Sequence, residues 1–162
     1  MAVDYFLKID GIEGESQDHK HKSEIDIQSW SWGATQTGTH AAGGGGGAGR
    51  VDFRDFTFLK QVDKASPKLM LNCATGKHIK SAVLTCRKAG GGQQEYMKVT
   101  FSDVLISSYQ PSGAASEMQP LPQEEIAFNF GKIEVEYREQ KPDGTLGGAV
   151  SAGYDLKLRK GA

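Results

Sequence analysis

Four groups of residues in this chain have side chains and spacings that chemistry can use. His19 and His21 stand two apart in GIEGESQDHKHK, on one side of an extended chain, as a pair of metal ligands would. No carboxylate or cysteine stands at a ligand-like spacing from them, so the segment reads as a solvated loop. Cys73 precedes His78 and suggests a Cys–His nucleophile, but a cysteine in a short helix is far more often packed than activated. Trp30 and Trp32, with Arg50 and Arg54, offer rings and charge for nucleic-acid stacking; without a basic groove, core or interface is the better reading. The five glycines Gly43, Gly44, Gly45, Gly46 and Gly47 have only the composition of a phosphate loop. That loop needs GxxxxGK and then Ser or Thr between a strand and a helix, whereas this run leads through Ala48, Gly49 and Arg50 into a strand. GxSxG, HExxH and paired CxxC patterns are absent. The chain is read as a non-enzyme, with no cofactor and no metal expected.

The elements that position these residues are strands. Glu24–Trp32 and Arg50–Phe58 flank about seventeen residues with almost no apolar content. Such a segment cannot bury its own backbone, and ordering its glycines costs the most conformational entropy of any residue type. Long loops of this kind in a compact domain tend to be functional or disordered. This one reads as an arm that docks on another surface. In Val3–Ile9, residues Val3, Tyr5, Leu7 and Ile9 alternate with Asp4 and Lys8, leaving Phe6 as the exception.

Four runs change parity partway. The apolar positions are Ile25 and Ile27 then Trp30 and Trp32; Val51 and Phe53 then Phe56 and Phe58; Met97, Val99 and Phe101 then Val104 and Ile106. The fourth is Ile126, Phe128 and Phe130 then Ile133, Val135 and Tyr137, changing at Gly131. Side chains alternate strictly along a strand, so each flip means a bulge, a bend or burial on different faces. Together they point to coiled strands closing a small β-barrel, or to two packed antiparallel sheets that share strands. Strands buried on both faces are the plainer alternative. One short helix begins near Ser66 and Pro67, with Asp63 as a rival cap, and ends at Gly76; Leu69, Met70 and Cys73 face one way. Ile79–Lys88 and Glu95–Tyr109 form a hairpin, Gln110–Gln123 is a surface loop, Lys141–Gly153 a turn region, and Tyr154–Lys160 a closing strand. The fold expected is mainly β, with eight or nine strands, one short flanking α-helix and a long Gly-rich loop.

Composition bounds the partners. The 162 residues suit one domain, and 19 basic against 20 acidic residues leave a formal charge of −1. That balance gives no electrostatic reason for nucleic acid or an acidic membrane as partner, and it opposes self-association little. MAVDYFLKID lacks a basic segment followed by an apolar core, so no signal peptide is expected, and no run is long enough for membrane insertion as a helix. Two cysteines, Cys73 and Cys86, suit a reducing compartment. Synthesis in the cytoplasm is expected, with any release requiring a dedicated route.

MAVDYFLKIDGIEGES, EIDIQSWSWG, the GGGGGAG run, DFTFLKQVDKASPKLMLNCATGKH and LTCRKAGGGQQEY, in that order, resemble the haemolysin-coregulated protein family. These are tube proteins of the bacterial type VI secretion system. The resemblance covers nearly the whole chain. It implies a homohexamer whose rings stack into a hollow tube, driven by a contractile sheath, tipped by a spike protein and itself secreted. It also implies effector proteins held in the ring lumen. On this resemblance, Thr35, Gln36, His40, the glycines Gly43–Gly47 and Arg50 belong to a ring-to-ring contact spanning Thr35–Gly49, together with the hairpin at Gly90–Gln93. Ser29 and Ser31 lie opposite Trp30 and Trp32 and are the candidate lumen residues. The competing reading is a monomeric β-barrel that carries a small apolar ligand, with the Gly-rich arm as its lid.

Overall fold

Each change of parity in the sequence marks a place where a strand switches neighbour, bulges or bends. The computed structural model describes residues 2–38, 49–89, 92–118 and 120–162. In chain order its elements are β1 (Val3–Ile9), β2 (Ile25–Ile27), β3 (Ser29–Gln36), β4 (Val51–Gln61), α1 (Ser66–Thr75), β5 (His78–Lys88), β6 (Glu95–Ser112), β7 (Gln123–Gln140), β8 (Leu146–Asp155) and β9 (Lys160–Gly161). The strands pair antiparallel in the order β2-β1-β5-β6-β7-β4-β3. Along β7, residues 123–128 pair with β4 and residues 132–140 with β8. The architecture is mainly β with one short helix, as expected. Among the described residues the strands form one continuous sheet that no ladder closes.

The first flip is a change of neighbour. Ile25–Ile27 pairs with β1, Gln28 intervenes, and Ser29 begins the ladder with β4. Gln28 donates its N–H to the Leu59 carbonyl at 2.8 Å, so one residue joins the two edges of the sheet. The second flip is a bulge: Ser31 faces Thr57 but Gly33 faces Arg54, so Asp55 and Phe56 together oppose Trp32. The third and fourth are a single bend. Asp103 of β6 and Gly131 of β7 lie between the pairs Ser102–Lys132 and Val104–Phe130. Asp103 has φ of 55° there, which lets both strands turn the same face inward on either side.

That inward face is aromatic. Phe56, Phe58, Phe101, Phe128 and Phe130 are buried, and Phe56 lies 4.9 Å from Phe101 and 5.0 Å from Phe128 between ring centroids. Burying a phenylalanine contributes roughly 1.5–3 kcal/mol, so this cluster dominates the stability of the bend.

Several expectations change. The helix begins at Ser66, but its N-cap is Ala65 and no side chain caps it. Ser66 Oγ and Asp63 instead belong to a buried polar group. Lys60 Nζ lies 2.7 Å from Asp63 Oδ1 and 2.5 Å from Glu124 Oε1, while Ser66 Oγ donates to Glu124. Lys60 and Glu124 are both 0% exposed, paired across the β4–β7 ladder. Met70 does not share the inward face with Leu69; it is 52% exposed. The helix ends at Gly76 as expected, with the Gly76 N–H donating to the Asn72 carbonyl.

The C-terminal third differs most. Strand β8, Leu146–Asp155, takes in the small residues up to Gly153 read as turn. Tyr154–Lys160, read as strand, is mostly the turn that follows, and Leu158 is exposed. Cross-strand pairing to β7 decides this, from Lys132–Asp155 to Arg138–Ala149. The Asp155 carboxylate accepts from the Lys157 and Leu158 N–H groups and closes the turn.

The 11–22 segment is a loop with His19 exposed, as expected, but His21 does not share that solvation. His21 is buried and stacks on Phe6 at 4.4 Å, and the Arg87 guanidinium lies 4.8 Å from the centre of that ring. Phe6, the exception to the alternation of β1, is therefore covered by a strap on the outer face.

Candidate assembly and cargo-facing site

The bulge in β4 leaves β3 with Trp30 and Trp32 turned inward. Trp30 stacks on Phe56 at 6.2 Å, meets Tyr5 edge-on at 6.0 Å, and has its indole beside the Cys86 thiol. Burial pushes the Cys86 thiol up to about 12, the Trp30 contact offsetting it only in part. Anchored on this side, β3 presents Ser29 and Ser31 to solvent on the other, as the sequence predicts.

Neighbouring strands extend that outer surface. Ser31 pairs with Thr57, Thr57 with Ala127, and Ala127 with Ser108, making one row of small side chains across β3, β4, β7 and β6. At about 4.8 Å between strands the row spans roughly 14 Å. A parallel row runs Ser29, Leu59, Glu125 and Gln110. Ser107, the extra residue where Ile106 faces Phe128 and Ser108 faces Ala127, reaches over β7 to donate to Asp55 Oδ2 at 2.5 Å. The surface thus carries one row of small side chains and is tied across three strands. Sequence reasoning found its two serines but missed Thr57, Ala127 and Ser108. The signal for Thr57 and Ala127 was present, as small residues alternating with the phenylalanines of β4 and β7, whereas Ser108 follows the bulge in β6.

The arm leaves the sheet at the other end of β3. Thr35 pairs with Asp52 and Gln36 with Val51; Thr35, Gln36 and Arg50 are exposed. Thr37 Oγ1 donates to the Arg50 carbonyl at 3.3 Å. At Gly49 an added Cβ would lie 2.3 Å from Gly38 N and 2.6 Å from Thr37 C, so only glycine fits where the two chains meet. His40 and Gly43–Gly47 lie outside the described residues. The structure thus brings together Thr35, Gln36 and Arg50 at the neck and sets them apart from Ser29 and Ser31.

An open cleft of about 620 Å3 lies at the neck, lined by Gln36, Gly49, Arg50, Val51, Tyr154, Leu156 and Arg159. Arg159 and Leu156 escaped sequence reasoning because their segment was read as strand; Arg159 has φ of 55° in the turn after β8. At one end of the sheet the hairpin after β5 is tied to the one after β7, Gln94 Nε2 donating to the Gly144 carbonyl at 2.5 Å. Among the described residues no group of three or more His, Cys, Asp or Glu side chains is arranged to hold a metal, and no helix is long and apolar enough to cross a membrane.

Comparison with known proteins agrees with this geometry. Residues 6–137 match the family model described as type VI secretion system effector, Hcp. Hcp1 of Pseudomonas aeruginosa is 45% identical over 159 residues, covering 97% of each chain. The crystal structure of Hcp1 from Salmonella typhimurium is 40% identical, covers 100% of both chains and superposes with a TM-score of 0.82. A structure described as a type six secretion system protein is 31% identical over 99% of this chain and 100% of its own, with a TM-score of 0.92. The strands, the short helix and the matched sequence together place this chain in the Hcp family of the type VI secretion system.

Proposed function

We propose that this chain is the structural subunit of the type VI secretion inner tube. Six copies close into a ring, rings stack into a hollow tube, and the outer face of β3, β4, β7 and β6 lines the channel. The spike protein, the contractile sheath and effector proteins are its partners, and the subunit is released together with the tube.

The observation that supports this most is the solvent-facing row Ser31, Thr57, Ala127 and Ser108. A sheet in solution ordinarily covers one face and scatters long charged side chains over the other. Here one row across four strands is kept to small side chains, with Leu59, Glu125 and Gln110 in the row beside it, as a channel wall that must hold and release a protein requires. The interior is filled by Phe56, Phe58, Phe101 and Phe128, so a small ligand inside the barrel gains no support.

Native mass spectrometry and light scattering, run beside a variant lacking residues 41–48, test the reading. The wild type is expected at six times 17.5 kDa and higher multiples, and the deletion at single-ring mass. A concentration-independent monomer in both would overturn it.

A further inference from the structure

Two clefts of opposite charge lie at the two ends of β4. The first is the neck cleft beside Val51, with Arg50 and Arg159 at its rim and Tyr154 and Leu156 on its walls. The second, about 280 Å3, adjoins Gln61 at the other end of the strand and is lined by Glu15, Asp26, Ile27, Gln28, Val62, Asp63 and Leu121. The 11 residues of β4 separate them by roughly 33 Å.

Every Asp, Glu, Lys and Arg of the chain lies among the described residues. No Asp or Glu carboxylate comes within 4.0 Å of Arg50 or Arg159, and no Lys or Arg comes within that distance of Asp26. Desolvation, then the neighbouring carboxylates Asp4 and Asp63, push the Asp26 carboxyl above its usual range. A cation from outside the molecule would relieve that crowding. Arg and Tyr are also among the residues that carry most of the binding energy at protein interfaces.

We propose that the neck cleft is a carboxylate-binding site for a second copy of this chain, with Arg50 and Arg159 of one copy meeting Glu15 and Asp26 of the next. The inference rests on the stacked-ring reading and names the contact that carries it. Clefts of unlike charge at opposite ends of one strand make a heterologous, head-to-tail contact, which repeats without limit along an axis. Arginine forks match carboxylates in pairs, so the contact sets rotation as well as distance.

The test is sedimentation velocity over a range of protein concentrations. The full-length wild type is compared with Arg50→Glu/Arg159→Glu and with a chain that adds Glu15→Arg/Asp26→Arg to that pair. Circular dichroism melts confirm that each variant is folded. Stacks are expected in the wild type, are expected to need about tenfold more protein or more after reversal at the neck, and are expected to return in the four-fold variant. Salt at 1 M is expected to weaken wild-type stacking and the restored stacking alike. Stacking unchanged by the first reversal, or not restored by the second, overturns the charged contact while leaving the tube reading in place. A wild type that stays at single-ring mass at every concentration also overturns it, and a wild-type monomer removes the tube reading itself.

Discussion

Asp103 and Gly131 face each other where β6 and β7 bend, and the carboxylate occupies the space a side chain at 131 would need. A Cβ at position 131 would lie 3.2 Å from Asp103 Oδ2 and 3.3 Å from Asp103 Cβ. Asp103 cannot easily yield, because His78 Nδ1 lies 2.9 Å from its Oδ1, Lys157 Nζ holds its Oδ2, and its backbone is already left-handed. Gly131→Ala is therefore expected to destabilise the fold by about 1–3 kcal/mol, read from urea unfolding. A midpoint equal to that of the wild type would show that the bend is looser than its geometry implies.

Lys60 and Glu124 form a pair with no exposure to solvent. Lys60→Met leaves the Glu124 carboxylate buried without its cation, which costs about 3–5 kcal/mol. Lys60→Met/Glu124→Leu removes both charges and is expected to recover a large part of that loss. Burial and then contact with Glu124 push the Tyr109 phenol up to about 12, so the carboxylate has more than one buried neighbour. A double-mutant cycle without coupling would refute the pair's role.

The two thiols differ in reach. Cys86 is buried and its thiol is pushed up to about 12, so it offers almost no thiolate near neutral pH; Cys73 is half-buried on α1. A disulfide-exchange reagent at pH 8 is expected to label Cys73 in the native protein and Cys86 only after unfolding. Two fast equivalents in native conditions would contradict the packing of Trp30 on Cys86.

The strap over β1 and β5 depends on acid. The Arg87 guanidinium, 2.7 Å away, holds the Asp18 carboxyl far below the usual carboxylate range. A carboxyl whose folded value is depressed stabilises the fold above its unfolded value of about 4 and loses that contribution as pH falls further. The gap in urea midpoint between the wild type and Asp18→Asn is expected to be constant near neutral pH and to shrink below about pH 4. A gap that widened in acid would reverse the assignment.

Ser31 offers the direct test of the channel wall. Ser31→Gln places a long side chain in the row formed with Thr57, Ala127 and Ser108, outside the core. Ring assembly is expected to persist while retention of a co-expressed effector falls. If assembly and retention both match the wild type, Ser31 does not contact cargo.

How far the sequence could be read follows from what each signal reports. Alternation reports which face is buried, so it located β1, the ends of the arm and all four parity changes. It could not tell a change of neighbour at Gln28 from a bulge at Asp55 and Phe56, since both shift the pattern by one residue. It failed along Leu146–Asp155, where Gly147, Gly148, Ala149, Ser151, Ala152 and Gly153 supply no pattern and pairing to β7 alone makes the strand. Ser29 and Ser31 were legible because tryptophans flank them. Arg159 was not, because a chance alternation at Tyr154, Leu156 and Leu158 imitated a strand over a turn.

The single residue between β2 and β3 also has a kinetic consequence. Each strand belongs to a different ladder, yet Gln28 allows no slack between them, so a slip of β3 along β4 drags β2 along β1. Two registers are thereby chosen in one event, and a misthreaded β3 is corrected only by undoing the other end of the sheet. Inserting one residue after Gln28 would uncouple the two choices and let trapped, slowly maturing chains accumulate during refolding, although every buried side chain is unchanged.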